Sequence, residues 1–178
     1  MCGQMHWRSM ALSVTLAAMA VSVGSGIASS QTCQELWVER NAYYNAVGYC
    51  FNTTRATIYF NKRACLVTSE AAVESLLPRS VRERISWIRD KERGVGCSTN
   101  HTRGPSLANA TCSQLWVERN AYYKARGYCF QTSRAEAYFT NQGCNSDLDE
   151  EKVEANLSET VRDRIAEITS LERKYGCN

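Results

Sequence analysis

The sequence is poor in the residues on which many catalytic and metal sites depend. Only two His occur among 178 residues, His6 and His101, and no Cys-x-x-Cys spacing is present. Imidazole is the commonest general base and a frequent zinc ligand, so neither a hydrolase nor a metal site is favoured. The net charge is only +3, with no sustained basic stripe, so nucleic acid is not an expected partner. No alternating run is long enough for a strand, which predicts an all-α fold.

The first thirty residues have the composition of a targeting segment. Arg8 precedes an apolar run diluted with Ser and Gly, and the small residues 28–30 come before the polar Gln31. This order predicts a secretory signal peptide over residues 1–30. An uncleaved membrane anchor is the alternative, because the run approaches spanning length. Cleavage would leave a mature form without a transmembrane domain, in the periplasm or secreted.

The remaining chain contains one unit twice. Residues 32–65 align without gaps to residues 111–144, with 22 of 34 positions identical. Residues 77–97 match residues 157–177 at 10 of 21 positions, whereas the intervening segments 66–76 and 145–156 share almost nothing. The sequence therefore predicts two tandem units, 32–97 and 111–177. The Ser-, Asn- and Gly-containing stretch 98–110 is interpreted as a flexible linker.

Each predicted unit carries four cysteines at matching positions: Cys33, Cys50, Cys65 and Cys97, then Cys112, Cys129, Cys144 and Cys177. An even number in an exported chain predicts two disulfides in each unit. Units of this size need such stabilisation, because they bury little apolar area. Three pairings per unit are possible. If the second helix runs back along the first, the expected bonds are Cys33–Cys65, Cys50–Cys97, Cys112–Cys144 and Cys129–Cys177.

Three helices are predicted in each unit. In the first unit, Thr32 is a suitable N-cap and Gly48 a natural terminator of the first helix. Residues 53–60 predict a short second helix. Pro78 marks the start of a third, which Gly94 and Gly96 end. Segment 66–76 is expected to be a loop.

The repeated stretch Leu-Trp-Val-Glu-Arg-Asn-Ala-Tyr-Tyr places Arg40 at the centre of an apolar helical arc. In the third helix, Glu92 continues an apolar stripe four residues after Ile88. A buried charge is costly unless it is paired, so we expect ion pairs Arg40–Glu92 and Arg119–Glu172. Loss of one partner is expected to cost about 3–5 kcal/mol. The same residues are the alternative ligand site.

The neighbours of these pairs have predicted roles too. Trp37, Tyr44, Trp116 and Tyr123 are expected to flank the guanidinium groups, with cation–π support. Asn41 and Asn120 are expected to satisfy nearby backbone groups. No residue is assigned to catalysis, to a metal or to a cofactor.

The pattern C-x-x-LW-x-x-RN-x-x-Y-x-x-x-GYCF, followed by an aromatic-Phe pair, a Cys and a terminal GC, resembles the YARHG domain of exported bacterial proteins. It is most similar to the four-cysteine form of that domain. Tyr44 and Gly48, like Tyr123 and Gly127, match the eponymous pentapeptide, whereas its His is absent. The resemblance implies a small extracytoplasmic domain and defines no activity.

The predicted function is an exported binding or interaction module whose two units gain avidity through the linker. Its partner would be an envelope component, peptidoglycan or protein. Residues 33–97 hold ten basic and seven acidic residues, and residues 112–177 hold nine and eleven. Specificity is therefore assigned to the divergent segments. A structural envelope protein without a specific ligand is the alternative, and a hydrolase is less favoured.

Overall fold

The computed structural model describes residues 31–60, 65–97 and 106–177, which belong to one compact unit. The predicted signal peptide lies outside these residues. Eight α-helices are present in them: α1 Cys33–Ala46, α2 Thr54–Phe60, α3 Glu70–Leu76, α4 Arg79–Gly94, α5 Cys112–Ala125, α6 Ser133–Phe139, α7 Glu150–Ala155 and α8 Glu159–Tyr175. The predicted all-α class is confirmed, since the described ranges contain only one isolated bridge, Tyr49 to Val67. Within these ranges no helix is both long and apolar enough to cross a bilayer.

The first helix of each repeat starts and ends as its local sequence predicts. Thr32 accepts a hydrogen bond from the Glu35 amide at 3.2 Å, and the Glu35 carboxylate accepts one from the Thr32 amide at 2.8 Å. This reciprocal capping box satisfies amides that a helix N-terminus leaves without partners. At the other end Gly48 and Gly127 adopt φ of +82° and +84°, a region that only glycine enters readily. The chain therefore reverses directly after α1 and α5.

The divergent segments are not simple loops. Each contains a short helix, α3 in segment 66–76 and α7 in segment 145–156, so a repeat has four helices rather than the predicted three. Val73 and Val153, one from each helix, are fully buried. Six or seven residues are too few for a helical period to stand out in the sequence. Each helix packs this valine into the buried core.

The expected disulfide pairing is wrong. The bonds are Cys33–Cys97 and Cys50–Cys65 in the first repeat, and Cys112–Cys177 and Cys129–Cys144 in the second. The reason is helix length. The 14 residues of α1 span about 21 Å and the seven of α2 only about 10 Å, at 1.5 Å per residue. Helix α2 cannot return the chain to Cys33, whereas the 16-residue α4 can.

The two repeats pack against each other. Helices α1 and α5 form the most extensive contact between any two helices of the described residues. The end of the predicted linker is also packed, because Leu107 and Ala110 are buried around a 3₁₀ turn, Leu107–Asn109. Residues 98–105 lie outside the described residues. The described end of the predicted flexible linker, residues 106–110, is therefore packed on the repeats.

Each repeat builds the same aromatic cluster beside its first helix. Trp37 lies with its ring centroid 5.5 Å from that of Tyr59 and 5.6 Å from that of Phe60, and Phe51 stacks on Phe60 at 5.1 Å. The second repeat reproduces these contacts through Trp116, Tyr138, Phe139 and Phe130. Aromatic rings bury large areas and prefer such edge and offset contacts. The segment that the two repeats have in common therefore builds an equivalent aromatic cluster in each of them.

Candidate functional site

A carboxylate with no exposed surface lies at the centre of the first repeat. Glu39 receives two hydrogen bonds from Arg84, Nε to Oε1 at 2.7 Å and Nη2 to Oε2 at 3.0 Å. The Tyr43 hydroxyl donates a third at 2.8 Å. A forked guanidinium matches both carboxylate oxygens, which makes this a strong charge-assisted contact. Glu39 is therefore compensated as fully as a buried carboxylate requires.

The second repeat has the equivalent pair, completed by a residue of the first. Arg164 Nε donates to Glu118 Oε1 at 2.7 Å, and Tyr122 donates to the same oxygen at 3.0 Å. Tyr59, from α2 of the first repeat, donates to Glu118 Oε2 at 2.8 Å. The Arg164 guanidinium carbon also lies 5.0 Å from the Tyr59 ring centroid. The first repeat thus supplies a hydrogen-bond donor to the buried carboxylate of the second repeat.

The exchange across the interface is reciprocal. The Arg84 guanidinium carbon lies 5.3 Å from the ring centroid of Tyr138, which α6 of the second repeat provides. Burial, and then the charge of Glu39, raises the pKa of Tyr138 well above its usual value. Burial and the charge of Glu118 raise the pKa of Tyr59 in the same way. Both phenols therefore keep their protons to a higher pH than a free tyrosine does.

These two pairs are not among the predicted site residues. No role is predicted from the sequence for Glu39, Arg84 or Arg164. A signal was present, because the Glu, the Tyr four residues later and the Arg of the last helix all recur in both repeats. What could not be read from the sequence is that Tyr59 and Tyr138 cross to the opposite repeat.

The expected pairs Arg40–Glu92 and Arg119–Glu172 are formed, at a shallower depth. Arg40 Nε lies 3.0 Å from Glu92 Oε2, and Arg119 Nε lies 2.9 Å from Glu172 Oε2. The arginine side chains keep 21% and 30% of their surface exposed, whereas Glu39 and Glu118 keep none. Water can therefore solvate part of each pair.

Substituting Arg40 by Met is expected to lower the free energy of unfolding by about 1–2 kcal/mol, between the values for exposed and buried pairs. This is smaller than the cost that full burial would imply. Urea unfolding of the disulfide-intact protein measures it. A loss above about 3 kcal/mol would show that Glu92 depends on Arg40 as a fully buried carboxylate would.

The surroundings of Arg40 differ in one respect from expectation. The guanidinium that stacks on Trp37 belongs to Arg55, whose Cζ lies 3.9 Å from the ring centroid, rather than to Arg40. Arg134 occupies the same position over Trp116 at 4.0 Å. Asn41 donates to the Trp37 carbonyl and Asn120 to that of Trp116, both at 2.7 Å. Both asparagines thus satisfy backbone groups.

A cleft of about 460 Å³ opens over these groups in the first repeat. All five residues of the predicted site in this repeat line it: Trp37, Arg40, Asn41, Tyr44 and Glu92. Tyr49 and Phe51 extend the aromatic wall, and Asn52, Thr53 and Arg55 lie along the rim. The divergent segment contributes Glu70. The size of the cleft and its mixed apolar and polar lining are typical of small-ligand sites.

Arg89 distinguishes this cleft from the corresponding region of the second repeat. Its guanidinium donates to the Tyr44 hydroxyl at 2.7 Å and to Glu70 at 3.0 Å, and it pairs with Glu74 at 3.0 Å. The equivalent position in α8 is Thr169, so the second repeat lacks this arginine, although Tyr123 donates to Glu154 as Tyr44 donates to Glu74. The carboxylates that line the first cleft, Glu70 and Glu92, are both held by arginines.

The chain matches the model of a known domain family. The model of the YARHG domain matches it twice, over residues 16–93 and 97–173. No curated protein and no solved structure matches the sequence. The two matches together cover most of the chain, and each contains most of one helical repeat. The chain belongs to the YARHG domain family, as two tandem copies.

Proposed function

We propose that this chain is an exported binding module, in the periplasm or outside the cell, whose ligand site is the cleft of the first repeat. The observation that carries the proposal is the lining of that cleft, in which an aromatic wall faces guanidinium groups. Flat rings provide apolar contact area, and arginines provide directed donors. The four disulfides support the oxidising location that the proposal requires.

The proposal includes no catalytic step. Neither repeat contains His, and Arg40 holds Glu92 through two hydrogen bonds, at 3.0 and 3.2 Å. Both oxygens of this carboxylate are thus occupied by the guanidinium. Glu70 is likewise bound to Arg89 at 3.0 Å. The cleft thus offers charged groups in a concave surface, which suits the recognition of a ligand.

The divergent segments support a difference in specificity between the repeats. Segment 66–76 places Glu70 in the first cleft, where it holds Arg89. Segment 145–156 lines a separate opening of about 590 Å³ with Asp147, Asp149 and Glu150. Because the repeats pack together, avidity through a flexible linker is not part of the proposal. The envelope ligand is recognised at one place on the chain.

Co-sedimentation of residues 31–178 with purified peptidoglycan, and separately with envelope protein fractions, tests the proposal. Asn52→Trp places a bulky ring at the exposed rim of the first cleft and is expected to reduce the pelleted fraction at least tenfold. Gln131→Trp makes the same change at the equivalent position of the second repeat and is expected to leave it unchanged.

Two outcomes would contradict the proposal. Equal losses in both variants would place the binding surface elsewhere. If no fraction pellets the unmodified protein, the structural envelope role without a specific ligand becomes the better explanation.

A further inference from the structure

We propose that the first-repeat cleft recognises a carboxylate, which Arg55 binds while the apolar part of the ligand lies against Trp37, Tyr49 and Phe51. This inference rests on the proposed function and names the chemistry of the ligand at that same site.

The arginines that line the cleft differ in whether a carboxylate neutralises them. Arg40 is paired with Glu92, Arg93 with Asp90, and Arg89 with both Glu70 and Glu74. Among the described residues Arg55 has no carboxylate partner. Its Nη2 donates to the neutral amide oxygen of Gln34, and its Nε is buried without an acceptor. Arg55 is therefore the guanidinium of the cleft whose charge a ligand can balance.

Arg55 is also held in a fixed orientation. Its guanidinium lies over the Trp37 ring, with Cζ 3.9 Å from the ring centroid, and one of its nitrogens donates to Gln34. A planar fork that is already oriented loses less entropy when it binds the two oxygens of a carboxylate. Burial, and then the charge of Arg40, lowers the pKa of Arg55 despite the opposing charge of Glu92. A bound anion would relieve that repulsion.

The second repeat provides the matched comparison. Arg134 stacks on Trp116 in the same way, at 4.0 Å, but its side chain is exposed. Ser113 stands at the position of Gln34 and donates to Glu35 instead. Thr169 stands at the position of Arg89. The oriented, partly enclosed guanidinium is thus a property of the first repeat, and one carboxylate per chain is expected.

A carboxylate of this kind can come from a peptide C-terminus or from an acidic sugar, and matched probe pairs separate the two sources. Acetyl-Ala-Ala as the free acid and as the carboxamide represents the peptide. Glucuronic acid and glucose represent the saccharide. Each probe is titrated into residues 31–178, and the indole N–H resonance of Trp37 is followed by NMR. We expect one acid to bind at least tenfold more tightly than its neutral partner.

Variants at the two equivalent arginines test the assignment to Arg55. Arg55→Gln is expected to abolish the preference for the acid, and Arg55→Lys, which keeps the charge without the fork, to retain part of it. Arg134→Gln is expected to leave the preference intact. Equal binding of acid and neutral partners, binding of neither acid, or an Arg55→Gln variant that still prefers the acid would overturn the inference. The proposed function fails separately, if Asn52→Trp leaves co-sedimentation unchanged.

Discussion

Replacing Arg164 by Met is expected to lower the free energy of unfolding by about 3–5 kcal/mol, the cost of leaving a buried charge without its partner. Glu118 has no exposed surface and Arg164 keeps only 8% of its own. The Tyr59 and Tyr122 hydroxyls would remain as donors to the carboxylate. Two neutral hydroxyl donors cannot replace the positive charge of the guanidinium group, from which two nitrogens donate to Glu118.

Denaturant unfolding of the disulfide-intact protein measures this effect, and two variants give it a scale. Arg84→Met removes the partner of Glu39 in the first repeat and is expected to act in the same direction. Arg162→Met lies two residues away on α8, where the side chain donates only to backbone carbonyls, and about 1 kcal/mol or less is expected. An Arg164→Met loss no larger than that of Arg162→Met would show that Glu118 does not depend on its arginine.

Raising the pH above about 10 is expected to unfold the protein cooperatively, because buried tyrosines must ionise in the unfolded chain. Burial, together with the neighbouring Glu39 and Glu118 charges, raises the pKa values of four tyrosines: Tyr43, Tyr59, Tyr122 and Tyr138. Below the unfolded value near 10, both states keep the phenolic protons and the stabilisation is fully present. Between that value and the raised folded values, only the folded state keeps them, so stability falls as pH rises.

The size of this effect follows from proton linkage. Each tyrosine contributes at most about 1.4 kcal/mol per pH unit, so the four together contribute at most about 5.6 kcal/mol per unit. Lys124 acts in the opposite direction, because burial lowers its pKa, and it is a single group. Since domains are typically stable by about 5–15 kcal/mol, one to three pH units suffice. Tyrosinate absorbance and loss of helical circular dichroism are expected to rise together. Tyrosinate that forms gradually while the helices persist would contradict the burial of these rings.

The elements of the fold were largely predictable because their signals are local. Thr32 and Gly48 mark the ends of the first helix, and the Val81, Ile85 and Ile88 stripe marks the buried face of α4. The pairing of Arg40 with Glu92 also followed, since each lies on an apolar face that must meet another. These inferences needed only helical geometry and the cost of burying a charge.

The disulfide pairing and the contacts between the repeats depend on distances that no local sequence pattern encodes. The disulfide pairing follows from the short reach of α2, which leaves Cys65 beside Cys50. The contact of Tyr59 with Glu118 spans 59 residues and requires the packing of α1 on α5. Arg55 gave no sign of its role, because its stacking on Trp37 joins two helices whose relative placement was unknown. In the candidate site, the aromatic residues Trp37 and Tyr44 were predictable. The guanidinium of Arg55, which has no carboxylate partner among the described residues, was not.

Native-state amide hydrogen exchange of residues 31–178, followed by mass spectrometry at increasing denaturant, tests the central claim that both repeats form one cooperative structure. The claim rests on the tyrosine that each repeat places beside the buried Glu–Arg pair of the other. The slowest amides of α1 and α5 are expected to open with the same free energy, because breaking the shared network opens both. Two separate opening free energies, differing by more than about 1 kcal/mol between the repeats, would contradict the claim and restore two independent domains.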